Sequence, residues 1–186
     1  TALKKKLGSS FKNQEINYQD LYNKTHGKVI DAWDVGQQKV ADADMSDLQD
    51  SDFAKILTDA SNKVTTQKLL LVGHSQGNFY ANTFYDAVVE ESGGIPAQSM
   101  SVYGVATPSN RISGVNNPGK ENYTTSDNDQ IIKILGNRLP ANVHIDYNNG
   151  SNGHSFSDIY LKYQGSKIVS DINTSLAKLQ NNNIQK

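Results

Sequence analysis

Apolar and polar positions along the chain follow two different spacings, one typical of strands and one typical of helices. Residues 69–72 form a continuous apolar run, as expected of a buried strand, and residues 99–106, SMSVYGVA, are a second strand candidate. Between them a segment carries residues spaced for one helix face: Phe79, Tyr80, Thr83, Phe84, Ala87 and Val88. Residues 68–91 are therefore predicted to form a strand, a sharp turn and a helix.

Further elements are predicted on both sides of this unit. Before it we expect a short helix ending near Gly8, a strand over 16–22, and helices within 27–40 and 53–60. After it we expect a brief strand around Tyr123, a helical turn over 131–135 ended by Gly136, and a last strand over 143–147. Apolar residues at helical spacing then mark a terminal helix: Ile168, Ile172, Leu176 and Leu179.

Strands that alternate with helical segments predict an α/β fold, a three-layer α/β/α domain with a mostly parallel sheet. The 186 residues fit one domain, with residues 181–186 expected to be a frayed tail. In such a fold a site lies at the carboxyl ends of the strands. That edge would hold Ser75, the loop before residue 130, and His154.

Composition narrows the classes of function. A mean hydropathy of -0.60 and the lack of any long apolar run predict a soluble chain without a transmembrane segment. The net charge of -1 offers no field that would attract nucleic acid. The chain contains no cysteine, so thiolate metal sites and cysteine nucleophiles are excluded. Export and a cytoplasmic location are both compatible with this composition.

The turn after residues 69–72 reads Gly73-His74-Ser75-Gln76-Gly77, a Gly-x-Ser-x-Gly pattern between a strand and a helix. This pattern is typical of a nucleophile elbow, where the serine projects from a strained turn and both glycines allow close approach. Ser75 is the predicted nucleophile. His74 is expected to support the turn, with its side chain directed away from the serine. The alternative is a serine that only caps the helix.

A serine hydroxyl needs a base, and the base needs a carboxylate that orients it. Two histidines follow Ser75: His144, which the strand pattern places as a packed and hydrogen-bonded structural residue, and His154, which lies in a loop and is preferred as the base. The candidate acids are Asp127, Asp129, Asp146 and, less plausibly, Asp158. Asp129 is preferred because packing of Ile131 and Ile132 could fix its orientation, and Asp127 stays the alternative.

The amide N–H of Gln76 is the predicted oxyanion donor, because it belongs to the residue after the nucleophile. A second donor normally comes from a loop after an earlier strand. The histidines and carboxylates show no metal-ligand spacing, so no metal or other cofactor is expected.

With Ser75, Asp129 and His154 assigned, the chain resembles small lipase-like and esterase-like members of the α/β-hydrolase superfamily. The resemblance lies in LLLVGHSQG at 69–77, SDNDQII at 126–132 and GHSF at 153–156. YNKTHGKVIDAWDVGQQK at 22–39 is also similar to a Tyr-Asn-x-Thr-x-Gly run found before the elbow in some bacterial members. Such proteins usually place a strand and an oxyanion loop before the first helix, so we expect an N-terminally truncated domain that lacks its first strands, or a differently built oxyanion hole.

The resemblance implies a serine hydrolase that cleaves carboxylic esters, small or lipid, through an acyl-enzyme on Ser75. His154 would be its general base and Asp129 the orienting partner. The alternative function is a non-catalytic relative that keeps the fold as a binding or interaction module. The sequence names no protein partner.

Overall fold

The computed structural model describes residues 1–18, 20, 68–90, 95–147 and 150–180. Within these residues the fold is mixed α/β, with a three-stranded parallel sheet and helices against it. This confirms the predicted fold class at that level. The helices expected within 27–40 and 53–60 and the tail at 181–186 lie outside the described residues. Of the strand expected over 16–22, residues 16–18 and 20 are described and are not in a strand, so that prediction is wrong for them.

Three strands form the parallel sheet: β3 is Leu69–His74, β4 is Met100–Val105 and β5 is Tyr123–Thr124. Strand β4 lies between the other two. The register pairs Leu69 with Met100 at one end and His74 with Val105 at the other, while β5 pairs with Gly104 and Val105. The two strands predicted within 69–72 and 99–106 are therefore neighbours, and their carboxyl ends lie side by side.

Successive residues of the strands face opposite sides of the sheet, and each side has its own hydrophobic cluster. On one side Tyr103 and Val105 pack with Ile168 and Ile172 of the terminal helix. On the other side Met100 and Val102 pack with Phe84, which lies on the helix that follows the elbow. Helices thus cover both faces of the described sheet.

Four α-helices are present in the described part of the chain: α1 Ala2–Leu7, α2 Gly77–Glu90, α3 Gln130–Lys133 and α4 Leu161–Lys178. A 3₁₀ turn, Ala97–Ser99, precedes β4, and a π-helical turn, Phe156–Tyr160, leads into α4. Strands β1 Ser10–Phe11 and β2 Gln14–Glu15 form a small antiparallel hairpin near the N-terminus. None of the described helices is long and apolar enough to cross a bilayer.

Two further predicted elements differ from the structure. The strand expected over 143–147 is reduced to one isolated bridge between Val143 and Ser126. It ends there because the Ile145 carbonyl accepts a hydrogen bond from the Asn128 side chain, at 3.0 Å, and not from a neighbouring strand. Helix α3 ends at Lys133, before Gly136, so that glycine does not end the helix.

Candidate active site

Ser75 occupies the turn between β3 and α2. Its φ of 55° lies in the left-handed region, which is strained for a residue with a side chain. Its N–H donates to the Val105 carbonyl at 3.1 Å, and its carbonyl accepts from the Asn78 N–H at 3.0 Å. The local geometry is therefore the strained strand-to-helix turn that the Gly-x-Ser-x-Gly pattern predicts.

The two glycines of this turn do not have equal roles. A Cβ atom at Gly73 would lie 2.8 Å from the Cα and N atoms of Asn78, so only glycine lets β3 and α2 approach this closely. A Cβ atom at Gly77 would have no described residue within 4 Å beyond its own helix. The expectation of close packing is right for Gly73 and wrong for Gly77.

Asn78, which the sequence pattern did not identify, stabilises the turn through its side-chain amide. Its side-chain Nδ2 donates to the Ser75 carbonyl at 2.8 Å and to the Val105 carbonyl at 3.1 Å. The residue is fully buried, and among the described residues its Oδ1 has no hydrogen-bond partner. Since Val105 also accepts the Ser75 N–H, this one amide ties the serine to the end of the adjacent strand.

His154 lies between Ser75 and Asp129. Its Nε2 is 2.9 Å from Ser75 Oγ, and its Nδ1 is 2.9 Å from Asp129 Oδ2. A carboxylate can only accept, so Nδ1 carries the hydrogen and Nε2 accepts the serine hydroxyl proton in the neutral imidazole. The side chain of His154 is 17% exposed, whereas that of Asp129 is 0% exposed. The three preferred residues are thus brought together in one hydrogen-bonded chain.

The Asp129 carboxylate is held by donors on every side. Its Oδ1 accepts the backbone N–H groups of Ile131 and Ile132 at 3.0 Å, which makes Asp129 the N-cap of α3. Its Oδ2 accepts the Tyr160 hydroxyl at 2.9 Å. Ile132 is packed in the core as expected, and the backbone amides of Ile131 and Ile132 hold the carboxylate directly.

Tyr160 is a second contributor that the sequence analysis missed. Its hydroxyl oxygen accepts the Ser126 N–H at 3.0 Å while its hydrogen goes to Asp129. Burial, followed by the nearby Asp129 charge, raises the pKa of Tyr160, so the phenol stays protonated as a donor. The sequence signal was a tyrosine within an apolar segment, since a buried tyrosine hydroxyl usually has a hydrogen-bond partner.

His74, which was expected to support the turn, has its side chain beside the base. Its Nε2 is 2.8 Å from the His154 carbonyl oxygen, and the two ring centroids are 4.9 Å apart. Burial first, and the neighbouring His154 second, lower the pKa of His74 to about 4. His74 is therefore a neutral imidazole near pH 7.

The other candidate residues form a separate group on the surface. His144 Nδ1 is 2.7 Å from Asp127 Oδ1, and its Nε2 is 3.1 Å from Asp146 Oδ1. These two hydrogen bonds, with Asp127 the larger influence, raise the pKa of His144. His144 is hydrogen-bonded as expected, but with 57% of its side chain exposed it is not packed. The fourth candidate acid, Asp158, bonds to Ser155.

The backbone N–H groups of Ser75 and Gln76 differ in their partners. The Ser75 N–H is occupied by Val105, whereas the Gln76 N–H has no acceptor among the described residues. Gln76 directly precedes the first residue of α2, where the helix dipole favours negative charge. The geometry leaves this group available to an anionic oxygen bound at Ser75.

No set of three His, Asp or Glu side chains in the described part of the chain is arranged to hold a metal ion. No family model matches the chain, and neither a curated protein nor a solved structure matches it. A function for this site therefore rests on its residues and their geometry.

Proposed function

We propose that the protein is a serine hydrolase of the α/β-hydrolase type that cleaves carboxylic esters, small or lipid, through an acyl-enzyme on Ser75. The observation that carries this proposal is the hydrogen-bonded chain from Asp129 through His154 to Ser75 Oγ. Ser75 lies in a strained turn at the carboxyl end of a parallel strand, the position from which a nucleophilic serine projects its hydroxyl.

In the first half of the reaction Ser75 Oγ attacks the ester carbonyl carbon while His154 Nε2 takes the hydroxyl proton. The carbonyl oxygen becomes negative in the tetrahedral intermediate, and the Gln76 N–H donates to it. His154 then gives its proton to the departing alcohol oxygen, which breaks the ester bond and leaves the acyl group on Ser75.

In the second half a water molecule takes the place of the alcohol. His154 removes a proton from the water as it attacks the acyl carbon, and returns that proton to Ser75 Oγ as the carboxylic acid leaves. Atoms and charges balance without a metal or a redox partner.

Asp129 acts as an ion and not as a proton carrier. Two backbone N–H groups and one phenol hold its negative charge in a site closed to solvent. A fixed buried carboxylate stabilises the imidazolium that forms on His154 and keeps its Nδ1 hydrogen in place. These contacts favour an enzyme over a binding module, because binding alone would not require a buried charge directed at the base.

The α/β-hydrolase assignment draws on the parallel pairing of β3 and β4, the elbow between β3 and α2, and the chain order Ser75, Asp129, His154. These features agree with the resemblance carried by residues 69–77, 126–132 and 153–156. They indicate acyl-transfer chemistry and do not select one acyl group.

A fluorophosphonate probe tests this proposal because it reacts with activated serine hydroxyls. We expect stoichiometric labelling, mapped by peptide mass spectrometry to Ser75, and its loss in Ser75→Ala. The matched control is Ser157→Ala, which removes an exposed serine near His154 and should label as the unaltered protein does.

A panel of esters of increasing acyl length then identifies the preferred substrate. Turnover should disappear with Ser75→Ala and persist with Ser157→Ala. A folded sample that neither labels nor turns over any ester would contradict the proposed hydrolase and favour the binding module.

A further inference from the structure

One polar side chain at the site takes no part in the proton path from Ser75 to Asp129. His74 is the last residue of β3 and directly precedes the nucleophile in sequence. Its ring has three aromatic neighbours, with centroids 4.9 Å from His154, 5.4 Å from Phe156 and 6.3 Å from Tyr160. A purely structural residue here would need no polar atom, yet its Nε2 meets the His154 carbonyl oxygen at 2.8 Å.

We propose that His74 is a positioning residue for the base. Its neutral imidazole donates Nε2–H to the His154 carbonyl and, with its ring beside that of His154, fixes the distance between His154 Nε2 and Ser75 Oγ. This inference deepens the proposed hydrolase function and rests on it.

Two hydrogen bonds connect the backbone of the His154 loop to the elements that carry the acid and the nucleophile. On the side of the acid, the Gln130 N–H donates to the Asn152 carbonyl at 2.9 Å, which joins the loop of the base to α3. On the side of the nucleophile, the bond from His74 is the one hydrogen bond among the described residues that joins this loop's backbone to β3. The His154 loop is therefore held at both ends, by the acid's helix and by the nucleophile's strand.

The protonation state of His74 follows from its surroundings. A carbonyl oxygen accepts only, so Nε2 must carry the hydrogen. Burial and the adjacent His154 lower the pKa of His74 to about 4, while the hydrogen bond to the His154 carbonyl and, more weakly, the Asp129 carboxylate act in the opposite direction. His74 is therefore uncharged when His154 takes the serine proton, and two positive imidazoles never lie side by side at neutral pH.

The test compares two amides at position 74. In His74→Gln the side-chain NH₂ can reach the His154 carbonyl, whereas the shorter side chain of His74→Asn cannot. We expect the rate of fluorophosphonate labelling to stay near that of the unaltered protein with Gln, and to fall about 10- to 100-fold with Asn, because small misplacements of a base have effects of this size. His144→Asn is the control and should label normally.

A second measurement does not depend on activity. The proton shared by His154 Nδ1 and Asp129 should give a far-downfield NMR signal that persists in His74→Gln and broadens or disappears in His74→Asn. If the asparagine variant fails to fold, His74→Leu makes the same comparison, because leucine fills space without a donor.

Equal labelling rates and equal signals in the Gln and Asn variants would overturn the positioning role. If the unaltered protein does not label, the hydrolase proposal fails by itself. The NMR comparison then still decides whether His74 positions His154.

Discussion

The described part of the chain holds two groups in which a histidine meets an aspartate, and they differ in burial. In one, His154 and Asp129 are 17% and 0% exposed, and the second ring nitrogen faces Ser75. In the other, His144 and Asp127 are 57% and 60% exposed, and the second ring nitrogen meets Asp146. Water screens the exposed group, so its ion pairs contribute little. A histidine with carboxylates on both nitrogens also has none left to accept a proton.

The comparison shows that a histidine beside an aspartate becomes a candidate base only through its remaining contacts. Both aspartates lie on one loop, yet only Asp129 caps α3 and accepts the Tyr160 hydroxyl. These additional donors fix the carboxylate of Asp129 and exclude solvent from it.

Removing the histidine of each group should give the largest contrast. We expect His154→Ala to lower kcat by about 10⁴- to 10⁶-fold, because Ser75 then has no proton acceptor. His144→Ala should change kcat less than about twofold, since His144 does not contact Ser75. The measurement is ester hydrolysis at saturating substrate. Comparable losses in both variants would contradict the assignment of the base.

Replacing the carboxylates by amides should give the next largest contrast. Asp129→Asn should lower kcat by about 10⁴-fold, because the amide no longer enforces the Nδ1–H form of His154. Asparagine remains a good N-cap, so α3 should persist and the circular dichroism spectrum should be unchanged.

Asp127→Asn is the matched variant and should keep nearly full activity. A crippled Asp127→Asn beside an active Asp129→Asn would reverse the choice of acid and restore the alternative left open by the sequence.

Acid should lower the free energy of unfolding through His74, the histidine beside the buried group, and not through the exposed His144. The pKa of His74 is about 4 when folded against an ordinary 6.5, so the unfolded chain binds the extra proton between these values. Stability is then fully present above about pH 6.5 and falls as the pH drops toward 4, by at most about 3 kcal/mol from this residue.

Urea unfolding at pH 7 and pH 4.5 measures this effect. His74→Leu should reduce the loss of stability on acidification, whereas His144→Ala should not. The pKa of His144 is raised, so its small contribution has the opposite sign: it is present at low pH and is lost as the pH rises through that pKa. An unchanged acid response in His74→Leu would contradict the assigned burial effect.

The sequence predicted what depends on neighbouring residues. The strand, the Gly-x-Ser-x-Gly turn and the helix are encoded in one short stretch, and the structure has all three as β3, the turn at Ser75 and α2. Placing His154 in a loop and Asp129 before an apolar turn also used local patterns. The structure brings these two residues together with Ser75, and their catalytic role stays a prediction.

Contacts between distant segments could not be predicted in this way. Tyr160 reaches Asp129, Asn78 reaches Val105, and His74 reaches the backbone of His154, and none of these pairs has a periodic signature. The strand expected over 143–147 was wrong for a related reason. Its weak alternation could not show that the Asn128 side chain takes the Ile145 carbonyl.

The backbone of Ser75 has a consequence for how this protein tolerates change. A side-chain-bearing residue at φ 55° costs about 1–2 kcal/mol relative to glycine, which adopts that angle freely. Ser75→Gly would thus relieve conformational strain while it removes the hydroxyl. At this position the residue that would make the fold most stable, glycine, is not the residue that the proposed reaction requires.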